Sequence, residues 1–359
     1  MGRKGSKILG FFFLVIFSAC VKDKPDTSFN APKNDSTANV YVVCEGNFGY
    51  GNAALTLYKP ATDSTYTDVY KSANGQSMGD VFQSMLRVGD NLLLCVNNSD
   101  KIVVVDRHTW KQNASINVPK PRYILPVSNS KAYVSTLFSN KLYIINQQTM
   151  SVTGSIDMPS QNPEGMLLYN NIAYICTWDT TGNKLYGIDI TTDKIVQTIS
   201  LPGYAPQEIV MDKEQMLWVL SGNVPDHRAA FLTRIDPSDD AILETYAFPA
   251  SADPIKPVFN LSKDTLYFIE ANYNGGSQYN GIYRMSIHDN TLPPSAFIQS
   301  SSLEYFWGLG IDPQTGYIYV GDPKGFVQKG IVSIYRQDGT KLKQFNTAVG
   351  PGHFYFDTP

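Results

Sequence analysis

The sequence predicts an all-β fold: a seven-bladed β-propeller of four-stranded antiparallel blades, closed by its C-terminal strand. Three observations carry this expectation. Short runs rich in Val, Ile, Tyr and Thr, bounded by Asn, Gly, Asp and Pro, fill the chain with almost no helical period. A strand that ends in a polar residue and a turn recurs seven times, at spacings of 47, 40, 43, 47, 50 and 50 residues. That is about the 40–45 residues that four strands and their turns require. One unpaired strand, His353 to Asp357, follows the seventh unit and matches the strand that the first unit lacks.

The recurring mark reads Leu57-Tyr58-Lys59, Val104-Val105-Asp106, Ile144-Ile145-Asn146, Gly187-Ile188-Asp189 and Arg234-Ile235-Asp236, with weaker copies at Arg284-Met285-Ser286 and Ile334-Tyr335-Arg336. Most units then close with an apolar–proline step: Val118-Pro119, Met158-Pro159, Leu201-Pro202 and Phe248-Pro249. Proline lacks a donor and fits a turn after an outer edge strand. Closure of the ring by the spare strand leaves no free seam, so the array needs no polar caps.

The first residues read as a secretory signal, with basic Arg3, Lys4 and Lys7, an apolar run from Ile8 to Phe17, then Ser18 and Ala19 before Cys20. Ten apolar residues are too few to span a bilayer as a helix. Phe17-Ser18-Ala19-Cys20 resembles a bacterial lipobox, so Cys20 is expected to carry a lipid. The expected organisation is a signal peptide over 1–19, a tether over 20–37 and the propeller over 38–359. The tether is rich in Lys, Asp, Pro, Ser and Asn and has too little apolar surface to pack. Lys22-Asp23 behind the lipid cysteine resembles a cell-surface export signal, so the expected location is the outer membrane, facing outward.

Loss of residues 1–19 shifts the formal charge from −3 to −6. An acidic chain without a basic face argues against nucleic acid as a partner. Cys44, Cys95 and Cys176 fall at one repeat position, too far apart for disulfides, and read as small buried packing residues.

In such a blade, A is the innermost strand and D the outermost. The A–B and C–D loops share one face, and the B–C and D–A loops share the other. The first set is short and bland; the second collects the loop aromatics. Aromatics dominate binding hot spots, and long loops on rigid scaffolds carry ligand contacts. The expected ligand-binding residues are Phe48, Tyr50, Arg122, Phe138, Trp178, Tyr204, Tyr273, Phe306 and Trp307. Arg122 is expected to pair with a phosphate. His227 and His353 map to this face, His108 and His288 to the other.

No zinc, serine-nucleophile or phosphate-loop signature occurs. No catalytic residue, resident metal or cofactor is therefore expected. A lactonase-type hydrolase remains open as an alternative, because Glu45, Asp80, Glu164 and Glu304 are expected to point toward the axis, where oxygen ligands would suit Ca²⁺.

The repeat, with the lipobox and the opening Glu45-Gly46-Asn47-Phe48-Gly49, resembles the YncE-type surface lipoprotein propellers of Bacteroidota, whose known functional type is the cobalamin-binding BtuG group. The resemblance covers about residues 38–358. It implies capture of a corrinoid, vitamin B12, outside the cell and transfer to a TonB-dependent outer-membrane transporter. A broad ligand fringed with amides suits an aromatic face rich in Asn and Gln. A second alternative is a protein-interaction scaffold serving uptake of another nutrient.

Overall fold

The computed structural model describes Gly2, residues 38–272 and residues 280–358. The expected signal peptide, the tether and the lipidation site Cys20 lie outside the described residues, as does Tyr273.

Among the described residues, twenty-eight strands form seven four-stranded antiparallel sheets. Blade one contains β1 (Asn39–Cys44), β2 (Ala54–Lys59) and β3 (Ser64–Tyr66). A short helix, α1 (Val69–Asn74), leads to blade two: β4 (Phe82–Val88), β5 (Asn91–Val96), β6 (Lys101–Asp106) and β7 (Gln112–Asn117). Blade three is β8 (Pro121–Pro126), β9 (Lys131–Thr136), β10 (Lys141–Asn146) and β11 (Ser151–Asp157). Blade four is β12 (Pro163–Tyr169), β13 (Ile172–Thr177), β14 (Lys184–Asp189) and β15 (Lys194–Ser200). Blade five is β16 (Pro206–Met211), β17 (Leu217–Asn223), β18 (Arg228–Asp236) and β19 (Ala241–Ala247). Blade six is β20 (Pro254–Phe259), β21 (Thr265–Glu270), β22 (Gly281–Ser286) and β23 (Ile298–Gln299). Blade seven is β24 (Gly308–Ile311), β25 (Ile318–Asp322), β26 (Ile331–Tyr335) and β27 (Lys341–Asn346). The last strand, β28 (Pro351–Asp357), pairs antiparallel with β1 as the innermost strand of blade one. The ring is thus closed in the way the sequence predicts.

The seven marks all fall at the ends of C strands, and the reason is local. The Asp106 carboxylate accepts from the backbone N–H of His108 and Thr109, and Asp189 from those of Thr191 and Thr192. Asn146 does the same with Gln148 and Thr149, and Asp236 accepts from the Ser238 N–H. A short polar side chain bonding the backbone two residues on makes the turn into strand D. The apolar–proline steps begin one residue after β7, β11, β15 and β19.

The B strands are the most enclosed, because sheets pack on both of their faces. Cys44, Cys95 and Cys176 sit on β1, β5 and β13 as free, fully buried thiols. Burial pushes the first two thiols up to about 12. The D strands alternate, with one side in solvent. In blades two, three, four, five and seven the D strand carries a bulge against strand C. A bulge twists an outer edge away from pairing with another chain.

Candidate functional site

The face bearing the B–C and D–A loops, here called the upper face, is built around a second and more consequential set of bulges. Strand A gains an extra residue against strand B in six blades: one, two, three, four, five and six. In β24 of blade seven the register is unbroken. A bulge re-aims a side chain. The residues at these bulges are Gln83, Arg122, Glu164, Gln207, Lys256 and Gly352. All but Gly352 line one cavity of about 380 Å³ at the axial mouth. Blade one instead supplies Glu45 from its B–C loop, and Gly352 leaves the space: a Cβ there would stand 2.0 Å from Glu45 Oε1. Trp307, just before β24, donates its indole N–H to the same oxygen at 2.9 Å.

Within the rosette, Arg122 and Glu164 form an ion pair. Arg122 donates Nε to both oxygens of Glu164, at 3.0 and 2.8 Å, and Nη2 to Oε1. Its Nη1 donates to Gln83 Oε1 at 2.5 Å. Burial disfavours the guanidinium charge, but Glu164 outweighs it and holds the group above its ordinary range. Lys256 Nζ lies 2.5 Å from His353 Nε2. Burial lowers the Lys256 ammonium below its usual range, against the pull of Glu208 and Glu45. Burial, then Lys256 and Arg122, push His353 well below the usual histidine range. Burial likewise raises Glu45 and Glu208. Among the described residues no three His, Cys, Asp or Glu side chains are placed to hold a metal ion. The residues present do not fit a Ca²⁺ cage: the cations facing these carboxylates are Arg122 and Lys256.

On the upper-face loops, Phe48, Tyr50 and Phe138 are 73%, 74% and 78% exposed. Phe138 holds φ of 58°, a left-handed conformation that bulky residues avoid, with its N–H donated to Asn162 Oδ1 at 2.7 Å. Strain of this kind collects at functional sites. Tyr204 stands under the Arg228 guanidinium, 4.5 Å from its ring centre. Trp178 lines the cavity and donates to the Gly222 carbonyl at 3.2 Å. Trp307 also lines it, edge-on to Phe326 at 5.3 Å. Of the expected residues, Arg122, Trp178 and Trp307 line the axial cavity, while Phe48, Tyr50, Phe138 and Tyr204 lie on upper-face loops outside its lining.

Phe306 is buried instead. Its ring is 1% exposed in the core between blades six and seven, and it faces Tyr335 edge-on, so it packs rather than binds. Arg122 lies on β8 rather than in a loop, and its guanidinium is already engaged by Glu164 and Gln83 instead of standing free for a phosphate. Asp80 and Glu304 do not join Glu45 and Glu164 at the axis. Asp80 holds the blade-one loop through Gly49 N–H and also accepts from Asn98 Nδ2. Glu304 pairs with Lys341 on the outside at 3.2 Å. His108 and His288 are exposed beside Asp90 and Glu214 on the lower face.

The loop mapping missed Gln83, Gln207, Glu208 and Lys256. A signal for this layer is present in the sequence. Proline opens strand A in Pro121-Arg122, Pro163-Glu164, Pro206-Gln207 and Pro351-Gly352, and the bulge residue follows it. In blade six Pro254 is followed by Ile255 and then Lys256.

Of the large apolar side chains well exposed on loops among the described residues, Phe48, Tyr50, Phe138, Tyr204, Leu303 and Val327 lie on the upper face and only Leu261 on the lower. The aromatic rim is one-sided.

Comparison with known proteins is consistent with this fold. A model of the family described as a domain of unknown function (DUF5074) matches residues 38–358. A search of the curated proteins found no match. Among solved structures, the chain resembles a quinonprotein alcohol dehydrogenase-like protein from Bacteroides thetaiotaomicron, with 15% identity, a TM-score of 0.68 and coverage of 90% of this chain and 79% of that one. It also resembles a periplasmic gluconolactonase from Pseudomonas aeruginosa, with 11% identity, a TM-score of 0.66 and coverage of 90% and 99%. For virginiamycin B lyase from Staphylococcus aureus the values are 14%, 0.55, 73% and 82%. At these identities the likeness is one of fold.

Proposed function

This chain belongs to the DUF5074 family, whose model spans the propeller, and from that premise we propose that it is a ligand-capture protein whose upper mouth binds a corrinoid. The observation that carries the reading is the one-sidedness of the loop aromatics: Phe48, Tyr50, Phe138 and Tyr204 are exposed on loops of the same face on which Trp178 and Trp307 line the axial cavity. Exposed rings on a rigid scaffold give large apolar contact area at low entropic cost. Gln83, Gln207 and Asn223 add amide donors and acceptors inside the mouth, which suits a broad ligand fringed with amides. The same reading makes the protein a surface lipoprotein attached through Cys20, which passes its ligand to a TonB-dependent outer-membrane transporter. Exposed Leu303 and Val327 on the same rim suit contact with such a protein partner.

Calorimetry with cyanocobalamin on residues 38–359 tests the ligand. Saturable heat at micromolar protein is the expected result, and silence at that concentration removes corrinoids from consideration. Mass spectrometry of the membrane-extracted protein tests the anchor, with a lipid-modified Cys20 peptide expected.

A further inference from the structure

Of the two cations in the axial rosette, Arg122 is paired with Glu164 and Lys256 is not. Among the described residues, its Nζ has no carboxylate within ion-pair distance, and its hydrogen-bond partner is His353 Nε2 at 2.5 Å. Two nitrogens this close share one proton, so the amine and the imidazole cannot both be fully protonated. The imidazole is held in turn by Tyr123, whose ring stands edge-on at 5.9 Å. Lys256 also takes φ of 56° at its bulge, a conformation that favours glycine. The strand thus carries local strain at the residue whose amine faces the cavity.

We propose that Lys256 is a carbonyl-reactive amine that condenses with a small aldehyde or ketone in the axial cavity to form an imine. The cavity of about 380 Å³ admits such a molecule, with Trp178 and Trp307 on its wall to receive an apolar body. The neutral amine attacks the carbonyl carbon. The C–N bond forms as the π pair moves to oxygen. The adduct nitrogen gives a proton to His353 Nε2. The alkoxide oxygen takes two protons, one returned by His353 and one from solvent, and leaves as water while the nitrogen lone pair forms the C=N bond of a protonated imine, which yields the neutral imine by giving its proton back to solvent. Amine and carbonyl become imine and water, with no oxidant or reductant consumed. Glu45 and Glu208 line the same cavity and are placed to relay protons during the loss of water. The groups facing Lys256 electrostatically are Glu208, Glu45 and Glu164, which favour its charge, and Arg122, which opposes it. The imine, once protonated, restores a cation among these carboxylates. This assignment is independent of the corrinoid reading.

The test treats residues 38–359 with benzaldehyde and sodium cyanoborohydride near pH 7.5, without corrinoid, and maps the trapped benzylamine by peptide mass spectrometry. Lys256, set against His353 Nε2, is expected to label severalfold faster than exposed Lys71, Lys111 and Lys194. Lys256→Arg should abolish that fast phase. His353→Phe, which leaves the amine in place, should slow it by on the order of tenfold or more. Label spread over the exposed lysines with Lys256 no faster overturns the proposal. An unchanged rate in His353→Phe overturns the dyad on which it rests.

Discussion

The Arg87 guanidinium lies 2.6 Å from the Asp357 carboxylate, which ties the closing strand β28 of blade one to blade two. Arg107 reaches the other oxygen of Asp357 at 3.3 Å. Asp357 is almost fully enclosed, while both arginines keep about a quarter of their surface in solvent. Asp357→Ala is therefore expected to cost about 1–3 kcal/mol, below the figure for a fully buried pair. Urea unfolding measures it. A cost under about 0.5 kcal/mol, the range of an ordinary surface substitution, would mean that the β1–β28 ladder alone seals the ring.

Arg122 and Glu164 make a different case, since neither has much access to solvent. Arg122→Gln leaves the carboxylate enclosed without its cation and should destabilise by about 3–5 kcal/mol. Adding Glu164→Gln should recover a large part of that loss, because residues in one network are not additive. The measurement is a double-mutant cycle from urea curves; simple additivity would contradict the pairing.

Phe48→Ala, Tyr50→Ala and Phe138→Ala should leave stability nearly unchanged, because their rings are mostly in water. Each should weaken corrinoid binding by about tenfold if it anchors the ligand. Phe306→Ala should do the reverse. It empties a core site and should cost about 3–5 kcal/mol. Calorimetry and urea curves on the four variants separate the two roles, and a stability loss in the first three would assign them to packing.

Glu270 lies at the upper end of β21, in a cleft with Phe248, Phe268 and Tyr283. Burial raises its carboxyl to about 7, against the N–H of Asp253, which lowers it. The folded state therefore holds this proton more tightly than the unfolded chain. Its stabilising contribution is fully present below about 4.3, the ordinary glutamate value, and is lost as pH rises through 7. Between pH 5 and 8 the protein should lose about 2 kcal/mol on this account. Glu270→Gln should flatten that part of the stability profile; an unchanged slope would place its origin elsewhere.

The fold was legible because its marks are local. Asp106, Asn146, Asp189 and Asp236 each make their turn with backbone groups two or three residues away, so the signal survives in any single unit. The rim aromatics were legible for a similar reason, since loop membership alone sets the face. Arg122 and Lys256 were harder to place. Their direction comes from a bulge, which changes the count of residues on one strand against its partner and leaves the apolar pattern intact. Phe306 was misplaced because a loop residue and a core residue look alike when the loop folds inward; the Asn280 amide oxygen, which accepts the Phe306 N–H at 2.6 Å, fixes its backbone there. Glu304 likewise reads as axial until Lys341 draws it outward.

Because the A-strand bulge is repeated, the centre of the ring behaves as a keyboard. Gln83, Arg122, Glu164, Gln207, Lys256 and Gly352 occupy comparable backbone slots yet differ in charge, length and donor pattern. Gln207 can be exchanged singly, whereas Gln83, Arg122 and Glu164 sound together as one chord. Proteins built on this scaffold can therefore diverge in what they hold without renegotiating how they fold.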